Sequence, residues 1–421
     1  MSSFFFLLVF LFLFLSLNGD VSVEGLNATS VAKRVNSFRL KRIMKHLNRI
    51  NKPALRTVKS SDGDIIDCVP RDMQPALNHP LLKNHKIQTS QPKKPSRNRT
   101  RGSFQNLPKG AWQTWHHAGH CPRGSVPIRR SSVDDVLRAQ SLYHYGKKKK
   151  KKLEISLTGG TPPDVVTGNG HEHAIAYKRA SDGLYGAKAT INVWDPSIDE
   201  RNEFSLSQIW ILSGSFDGSD LNSIEAGWQV SPQLYGDSKP RLFTYWTSDA
   251  YEATGCYNLL CSGFVQTNNR IAMGAAIAPV SSTNDEQFEV TILIWKDPKL
   301  RNWWMGFGDN TVVGYWPAEL FTHLTNHATM VEWGGEVVNM RPNGFHTATQ
   351  MGSGVFAEHG FGKASYFRNL EVVDSDNTLT IPDSISTMAE NADCYNIKSS
   401  INSDWDIHFY YGGPGNNPKC M

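Results

Sequence analysis

The sequence predicts an all-β protein: an antiparallel β-sandwich preceded by a small, basic domain. From residue 174 onward, the chain consists of short β-like runs separated by turn residues. Amphipathic helical periods are nearly absent from this part, apart from one turn around residues 320–326. Frequent turns and 34 glycines are typical of a sandwich or a barrel.

Nine runs in this part are predicted as strands. They are Lys188–Trp194, Leu206–Leu212, Ile224–Val230, Arg241–Thr247, Phe288–Trp295, Thr311–Tyr315, Met330–Val338, Ala364–Val373 and Trp405–Tyr411. Eight tryptophans lie between residues 210 and 333, and large aromatic side chains are more often buried than functional. We therefore expect most of them to belong to the core or to a sheet face.

Charge divides the chain into two parts. Its 421 residues suffice for two or three domains, and 39% hydrophobic with 20% charged residues excludes a mainly disordered chain. The net charge of +5 is an average: residues 167–421 carry 15 Lys and Arg against 29 Asp and Glu. The remaining 29 basic and 10 acidic residues lie in residues 1–166. A basic N-terminal part therefore precedes an acidic C-terminal part.

The N-terminus predicts secretion. Phe4–Leu17 is apolar except for Ser16, and it is too short for a comfortable membrane span. We interpret residues 1–24 as a signal peptide, with an uncleaved anchor as the alternative. The expected location is extracellular or the cell wall, with the vacuole as a further option. Asn27 and Asn98 lie in glycosylation sequons, which matter only in a secreted chain.

The six cysteines predict disulfides within each part. Cys68 and Cys121 lie in the basic part, and Cys256, Cys261, Cys394 and Cys420 lie in the acidic part. Even numbers on both sides allow each part to close its own bonds in an oxidising compartment. We expect Cys256 to pair with Cys261 and Cys394 with Cys420. Zinc is disfavoured because no CxxC pair occurs.

A domain boundary is predicted between residues 166 and 167. Residues 25–166 begin with a helical, basic stretch at 31–50 and include a short helical pattern at 133–143. Between them lies a polar, proline-dotted stretch at 57–109, which we expect to contribute little to a core. The run Lys147–Lys152 and the Gly-Gly and Pro-Pro dipeptides of residues 159–163 then mark a linker. We expect the lysine run to be solvated and cleavable, without nucleic-acid or membrane binding.

Several kinds of catalytic or metal site find little support. The chain has no GxSxG motif, and every cysteine has a plausible disulfide partner. His171 and His173 share a strand face as in some metal sites, but no third ligand is near in sequence. The three histidines at 116, 117 and 120, beside Cys121, are interpreted as surface residues. We predict no metal and no cofactor.

Carboxylates are the remaining candidates for chemistry. Glu225 lies among apolar and small residues of a predicted strand, and Glu332 and Glu336 lie in another. Acidic residues are depleted from strands and costly to bury unpaired, so these positions need an explanation. Gly334-Gly335 leaves space for a substrate backbone to approach. The alternative is that each glutamate only accepts hydrogen bonds within a polar sheet face.

These stretches closely resemble the neprosin family, plant secreted glutamic endopeptidases that cleave after proline. In the acidic part the matching stretches are Ser207–Trp210, Leu221–Val230, Tyr245–Thr247, Thr254–Asn269, Val313–Pro317, Glu332–Glu336, His346–Thr347, Gln350–Gly354, Lys363–Tyr366 and Tyr410–Gly415. In the basic part they are Asp64–Val69, Gln74–Leu77, His79–His85 and Cys121–Arg130. The resemblance covers nearly all the chain after the predicted signal peptide.

The resemblance implies a β-sandwich catalytic domain preceded by a removable activation peptide. It places the catalytic glutamates at Glu225 and Glu336, treats Glu332 as secondary, and carries over the disulfides Cys256–Cys261 and Cys394–Cys420. The family pattern has no run like Lys147–Lys152, which leaves the processing site open. The implied protein is a monomeric zymogen that acts on proline-containing peptides and is inhibited by its own propeptide.

Two carboxyls that face one water can share a proton, so we expect an acidic pH optimum. The sequence does not assign acid and base, nor the donors that stabilise the oxyanion. We expect acid to release or cleave the propeptide between residues 152 and 170, by self-cleavage at Pro162-Pro163 or by another protease at the lysines. A carboxylate-dependent glycoside hydrolase and a non-catalytic cell-wall or carbohydrate-binding protein remain alternatives.

Overall fold

The computed structural model describes residues 37–97, 108–139, 141–148, 170–215, 220–308, 311–341 and 345–421. The predicted signal peptide, both sequons and the proposed cleavage region lie outside these residues. The chain divides into two compact units, Met1–Arg49 and Ile50–Met421. The described part of the first unit, residues 37–49, is helical.

The helices are α1 (Ser37–Ile50), α2 (Val133–Arg138) and α3 (Pro232–Tyr235). The 3-10 turns are Arg71–Met73, Pro75–Asn78, Pro80–Leu82, Thr114–Ala118, Ala318–Leu320 and Ala357–His359. The strands are β1 (Arg56–Lys59), β2 (Ile65–Pro70), β3 (Ser96–Arg97), β4 (Lys109–Gly110), β5 (Trp112–Gln113), β6 (Ser125–Arg129), β7 (His171–Leu184), β8 (Gly186–Asn192), β9 (Ser205–Ser213), β10 (Asn222–Val230), β11 (Arg241–Thr247), β12 (Val265–Gln266), β13 (Ile277–Ala278), β14 (Phe288–Lys296), β15 (Trp303–Phe307), β16 (Thr311–Trp316), β17 (Ala328–Val338), β18 (Ser365–Val373), β19 (Thr378–Thr380), β20 (Ser386–Ala389), β21 (Asn396–Asn402) and β22 (Asp406–Gly412).

Residues 170–421 form two large sheets. The first has six strands in the order β11-β10-β9-β17-β7-β20, and all of its neighbouring strands are antiparallel. The second contains the path β12-β16-β15-β14-β8-β18-β19-β3, with β4, β21 and β22 paired alongside it. Ile209 and Trp333 of the first sheet join Ile191, Ile292 and Phe367 of the second in one buried hydrophobic cluster. The predicted β-sandwich is therefore confirmed.

The six-stranded sheet is covered on its other face as well. Side chains alternate along a strand, so Ile209 and Ile211 of β9 point into the sandwich while Leu206, Trp210 and Leu212 point away from it. These three belong to a second buried cluster, which also contains aromatic residues from β11 and from the loop at residues 248–261. This outer face of the six-stranded sheet carries the glutamates described below.

The N-terminal segment, defined here as residues 50–148, is built onto the sandwich. Its own sheet has the order β1-β2-β6, whereas β3, β4 and β5 pair with sandwich strands β19, β14 and β13. The polar stretch at 57–109 was predicted to contribute little to a core, and this is wrong: Ile66 and Leu82 are buried. Leu82 joins the large cluster of the sandwich, whereas Ile66 packs mainly with Val58 and Trp115 of the segment itself.

Charged groups also join the N-terminal segment to the sandwich. Arg97 pairs with Glu371 and Lys109 with Glu286, the polarity expected for a basic segment on an acidic domain. The most buried of these ion pairs has the opposite polarity: Asp64 Oδ2 of the segment lies 2.6 Å from Arg241 Nη1 of the sandwich. Overall charge therefore describes only part of this interface.

Nine strands were predicted in the sandwich, and each coincides with an observed strand to within two residues at either end. The long strand β7 was not among the predictions. Its sequence mixes histidine, glutamate, lysine and arginine with alanine and so lacks a clear apolar alternation. The three disulfides join Cys68 to Cys121, Cys256 to Cys261, and Cys394 to Cys420, as the sequence predicts. No helix in the described part of the chain has the length and apolarity needed to span a membrane.

Candidate active site

Glu225 and Glu336 lie on the same face of the six-stranded sheet, one on each side of β9. Glu225 of β10 is paired in register with Trp210, and Glu336 of β17 with Leu206. Trp210 and Leu206 are four residues apart on β9 and therefore point to the same face. Both glutamate side chains are buried, with 0% and 2% of each residue exposed. The strand order thus brings together two carboxylates that are 111 positions apart in the sequence.

Gln208 occupies the position between the two glutamates. Its Nε2 lies 3.4 Å from Oε2 of Glu225 and 3.4 Å from Oε2 of Glu336, so these two oxygens are at most twice that distance apart. The side chain is fully buried, and its Oε1 has no hydrogen-bond partner among the described residues. A buried polar atom without a partner is costly in a purely structural role. We therefore assign Gln208 to the site.

Gln208 lies within the stretch Ser207–Trp210 that resembles the neprosin family, but no role was predicted for it. The signal was present, since Gln208 is the one long polar side chain of β9 and lies between Leu206 and Trp210 in the alternation that points to the glutamate face. Its role could not be predicted from the sequence, because Gln208 lies between the two glutamates only when β9 separates β10 from β17.

Three donors surround the Glu225 carboxylate besides Gln208. Ser223 Oγ and Tyr251 hydroxyl each donate to Oε1 at 2.9 Å. Lys148 Nζ lies 2.5 Å from Oε2 and forms an ion pair with it. Because Lys148 belongs to the N-terminal segment, the segment reaches directly into the glutamate site.

Lys148 is held by more than its charge. Its ammonium lies 5.1 Å from the ring centroids of both Tyr245 and Tyr251, and its backbone N–H donates to the Tyr245 hydroxyl at 3.2 Å. Burial lowers the pKa of Lys148, but the negative charges of Glu225 and Glu336 raise it by a larger amount. The net shift of the pKa is therefore upward. The lysine run was expected to be solvated, and for Lys148 this is wrong, because the two glutamates stabilise a buried cation.

Glu336 is flanked by two histidines of β7. His171 Nδ1 lies 2.5 Å from Oε1, and His173 Nε2 lies 3.8 Å from Oε2. Burial raises the pKa of Glu336, but Lys148, His171 and His173 lower it by more, so it stays well below its ordinary value. Their shared strand face made these histidines candidate metal ligands in the sequence. The structure instead places them as partners of a carboxylate.

Glu332 shares the same face but has a different environment. It is buried, and its Oε1 has no hydrogen-bond partner among the described residues. Burial, together with the charges of Glu336 and Glu225, raises its pKa to about 8 despite the opposing effect of His173 and Arg179. Glu332 is therefore a neutral carboxylic acid at acidic pH, which agrees with its secondary rank in the sequence analysis.

The other histidine and cysteine positions contact groups away from these glutamates. His116 accepts a hydrogen bond from Trp112 Nε1 at 3.1 Å and lies beside the carbonyl oxygen of Arg270. Cys121, which was considered with it, is in a disulfide. His346, Cys394 and Cys420 lie close together, but both of these sulfurs are in a disulfide and offer no thiolate.

Gly227 controls how closely β10 and β9 approach next to the site. A Cβ at this position would lie 1.9 Å from the Ser207 carbonyl oxygen and 2.6 Å from Gln208 Cα. We expect Gly227→Ala to destabilise the protein by roughly 1–3 kcal/mol or more, because the backbone must shift to relieve the overlap. Thermal unfolding measures this effect. Gly306→Ala is the matched control, since its nearest atom would be 3.7 Å away; an equal fall in Tm for both variants would contradict the prediction.

Two protein-family models match this chain. The family model described as Neprosin matches residues 201–414, just over half of the chain, and the model described as Neprosin activation peptide matches residues 57–177. The first match contains Glu225 and Glu336, and the second contains Lys148, His171 and His173.

Two solved structures are also similar to this chain. One is a scytalido-glutamic peptidase with a peptide-based transition-state analogue, at 14% identity and a TM-score of 0.32, covering 58% of this chain and 98% of the other. The second is SCP-B, a member of the eqolisin family of peptidases, in complex with the tripeptide Ala-Ile-His. It has 12% identity and a TM-score of 0.30, and covers 58% of this chain and 97% of the other. The two family matches cover both parts of the chain, and we conclude that it belongs to the neprosin family as a peptidase zymogen, in which an activation peptide precedes the peptidase domain.

Proposed function

We propose that the protein is the secreted zymogen of a glutamic endopeptidase that hydrolyses peptide bonds on the C-terminal side of proline at acidic pH. The observation that carries the proposal is the pair of buried glutamates on either side of Gln208. The proposed mechanism uses these two carboxyl groups and one water molecule. It needs no metal ion or cofactor.

In this mechanism a water molecule lies between Glu225 and Glu336. One carboxylate takes a proton from the water as its oxygen attacks the peptide carbonyl carbon, and the other carboxyl group protonates the leaving nitrogen. The pair works when it holds one proton between its two members, and two buried carboxyls at short range favour that state. Acidic pH supplies the proton, which accounts for the proposed pH optimum.

Gln208 is proposed to stabilise the oxyanion. A tetrahedral intermediate develops negative charge on the former carbonyl oxygen, and a buried N–H donor directed at that oxygen stabilises it. The Nε2 of Gln208 lies between the two carboxylates, where the reacting bond would sit. The Gln208 amide also fixes the spacing of the two glutamates.

Specificity for proline is proposed from the family resemblance and from the aromatic surface beside Glu225. The rings of Tyr245 and Tyr251 are stacked with their centroids 5.9 Å apart, and the Lys148 ammonium lies near both. The apolar face of a proline ring could pack on these rings once Lys148 has left. In the precursor the same place is occupied, so the activation peptide acts as an intramolecular inhibitor.

Digestion of a denatured proteome by the processed protein at acidic pH tests the function. We expect most cuts, read by mass spectrometry, to follow proline, because the proposed pocket beside Glu225 selects the residue before the cut. The control is an identical preparation that carries Glu225→Gln. Cuts without preference for proline would refute the specificity alone. Cleavage of polysaccharide, with proteins left intact, would refute the peptidase proposal.

A further inference from the structure

The partners of Glu336 differ in kind from those of Glu225. Outside the activation peptide, Glu225 accepts hydrogen bonds from the neutral groups of Ser223, Tyr251 and Gln208. Glu336 instead contacts two imidazoles, with His171 Nδ1 at 2.5 Å and His173 Nε2 at 3.8 Å. An imidazole is protonated in the acidic range proposed for the activity, so both contacts favour a negative carboxylate.

His173 is itself fixed by a second carboxylate on the far side of its ring. Its Nδ1 lies 3.1 Å from Oε2 of Glu390, and its backbone N–H donates to the same oxygen at 2.7 Å. Burial lowers the pKa of His173, but Glu390, Glu336 and Glu332 raise it to about 9. The imidazolium of His173 thus lies between the carboxylates of Glu390 and Glu336. The backbone N–H of His173 fixes the position of the Glu390 carboxylate.

We propose that His171 and His173 are positioning residues that keep Glu336 negatively charged in the processed enzyme, so that Glu336 accepts the proton from the attacking water and Glu225 donates the proton to the leaving amine. This inference rests on the proposed function and assigns the two roles that the sequence leaves open. The histidines do not touch the reacting atoms, and they act through Glu336.

The charges around Glu336 come from several elements. They are His171, His173 and Arg179 of β7, Glu332 of β17, Glu225 of β10, Glu390 directly after β20, and Lys148 of the activation peptide. Processing removes Lys148, and Glu332 is neutral at acidic pH. Loss of Lys148 leaves Glu225 with only neutral donors among its described contacts, whereas Glu336 keeps both imidazoles. The shared proton therefore resides on Glu225.

The assigned roles balance through one turnover. Glu336 removes a proton from water while the water oxygen forms a bond to the peptide carbonyl carbon. Glu225 then gives its proton to the peptide nitrogen as the carbon–nitrogen bond breaks, which releases a carboxylic acid and an amine. Afterwards Glu336 is protonated and Glu225 is charged, and transfer of one proton from Glu336 to Glu225 restores the starting state.

The test uses His171→Asn and His173→Gln, which keep a hydrogen-bonding group near Glu336 but remove the charge. Enzyme is processed from the full-length precursor, and kcat/KM for one proline-containing peptide is measured against pH. The acidic limb of this kcat/KM profile reports the ionisation of Glu336. We expect this limb to move upward by about one pH unit in each variant, because a neighbouring opposite charge lowers a carboxyl pKa by roughly that much or more. An acidic limb that stays at the wild-type pH in both variants would overturn the proposal.

His346→Gln is the matched control, because it removes another histidine–glutamate pair, whose glutamate lies on the same strand β7. His346 Nε2 lies 2.8 Å from Glu172, which occupies the position between His171 and His173 but points to the opposite face. We expect this variant to keep the wild-type acidic limb whatever its effect on stability. A shift as large as those of His171→Asn and His173→Gln would show that any loss of a buried pair moves the profile, and would overturn the proposal.

A second measurement does not depend on activity or on the histidine variants. Glu225→Gln protein is processed by a lysine-specific protease acting at the lysine run and is labelled with carbon-13 at glutamate side chains. The Glu336 signal is identified by its loss in the Glu225→Gln, Glu336→Gln double variant. We expect its titration midpoint to lie below the ordinary value of 4.5. A midpoint at or above 4.5 would contradict the positioning role. Wild-type protein that folds but cleaves no peptide would instead refute the proposed function and leave this titration interpretable.

Discussion

Replacing either Glu225 or Glu336 by Gln is expected to lower kcat/KM of the processed enzyme for a proline-containing peptide by about 10³-fold or more. General acid–base groups each contribute roughly 10²–10⁴-fold, and here the same two groups also activate the only nucleophile. Gln has nearly the same shape as Glu but cannot exchange a proton, so the fold should tolerate the change. Initial rates with a fluorogenic peptide at several pH values measure the effect.

Glu332→Gln is the matched control for this prediction. Glu332 is a buried glutamate on the same sheet face, with its pKa raised to about 8. At acidic pH it is a neutral acid, which Gln mimics closely, so we expect activity to stay within roughly 3-fold of wild type. If Glu225→Gln and Glu336→Gln both retain activity, the two-glutamate mechanism is wrong. If Glu332→Gln alone is inactive, the catalytic pair has been misassigned.

The intact precursor is expected to process itself when acidified, and Lys148→Met is expected to raise the pH at which this begins. Residues 149–169 lie outside the described residues, but the residues on either side of them contact the catalytic pair, Lys148 at Glu225 and His171 at Glu336. The described residues that flank 149–169 therefore lie at the glutamate site on both sides. Gel and mass-spectrometric time courses of the precursor from pH 3 to pH 7 follow the processing.

The direction of the pH effect follows from the ion pairs. The Lys148 ammonium lowers the pKa of Glu336, so binding of Lys148 is favoured while the glutamates are charged. The resulting stabilisation is fully present above the ordinary glutamate value of 4.5 and is lost as the pH falls below it toward the lowered pKa. Met keeps the length of the side chain but has no charge. At pH 5 to 6 the Lys148→Met precursor should therefore be processed at least about 10-fold faster than wild type.

Lys147→Met provides the control for this substitution. Lys147 Nζ donates to the Ala253 carbonyl oxygen and lies 4.2 Å from the Tyr143 ring centroid, outside the glutamate site. We expect its processing to follow the wild-type pH dependence. The Glu225→Gln precursor should remain intact at every pH, and processing at an unchanged rate in that variant would exclude self-cleavage. Equal effects of Lys147→Met and Lys148→Met would contradict a specific role of the Lys148 ion pair, because the overall positive charge of the lysine run would then explain both.

Local patterns in the sequence determined nine strands of the sandwich. Runs such as Ile224–Val230 and Phe288–Trp295 alternate or are continuously apolar and end at turn residues, and these properties depend on near neighbours in the chain. The family resemblance added Glu225 and Glu336. The even cysteine counts indicated that each part closes its own disulfides, and the family resemblance supported the pairing within the acidic part. All of this information is contained in short stretches, so no knowledge of strand order was required.

Tertiary structure alone decided how these elements act together. Only the strand order β10-β9-β17 shows that Gln208 separates the two glutamates, and only the placement of β7 next to β17 turns His171 and His173 from possible metal ligands into partners of Glu336. Likewise, Lys148 belongs to a charge run that looks solvated in sequence. It is buried because two distant carboxylates and two tyrosine rings stabilise its ammonium. Burial and charge pairing depend on contacts between residues far apart in the chain, and a sequence pattern does not record them.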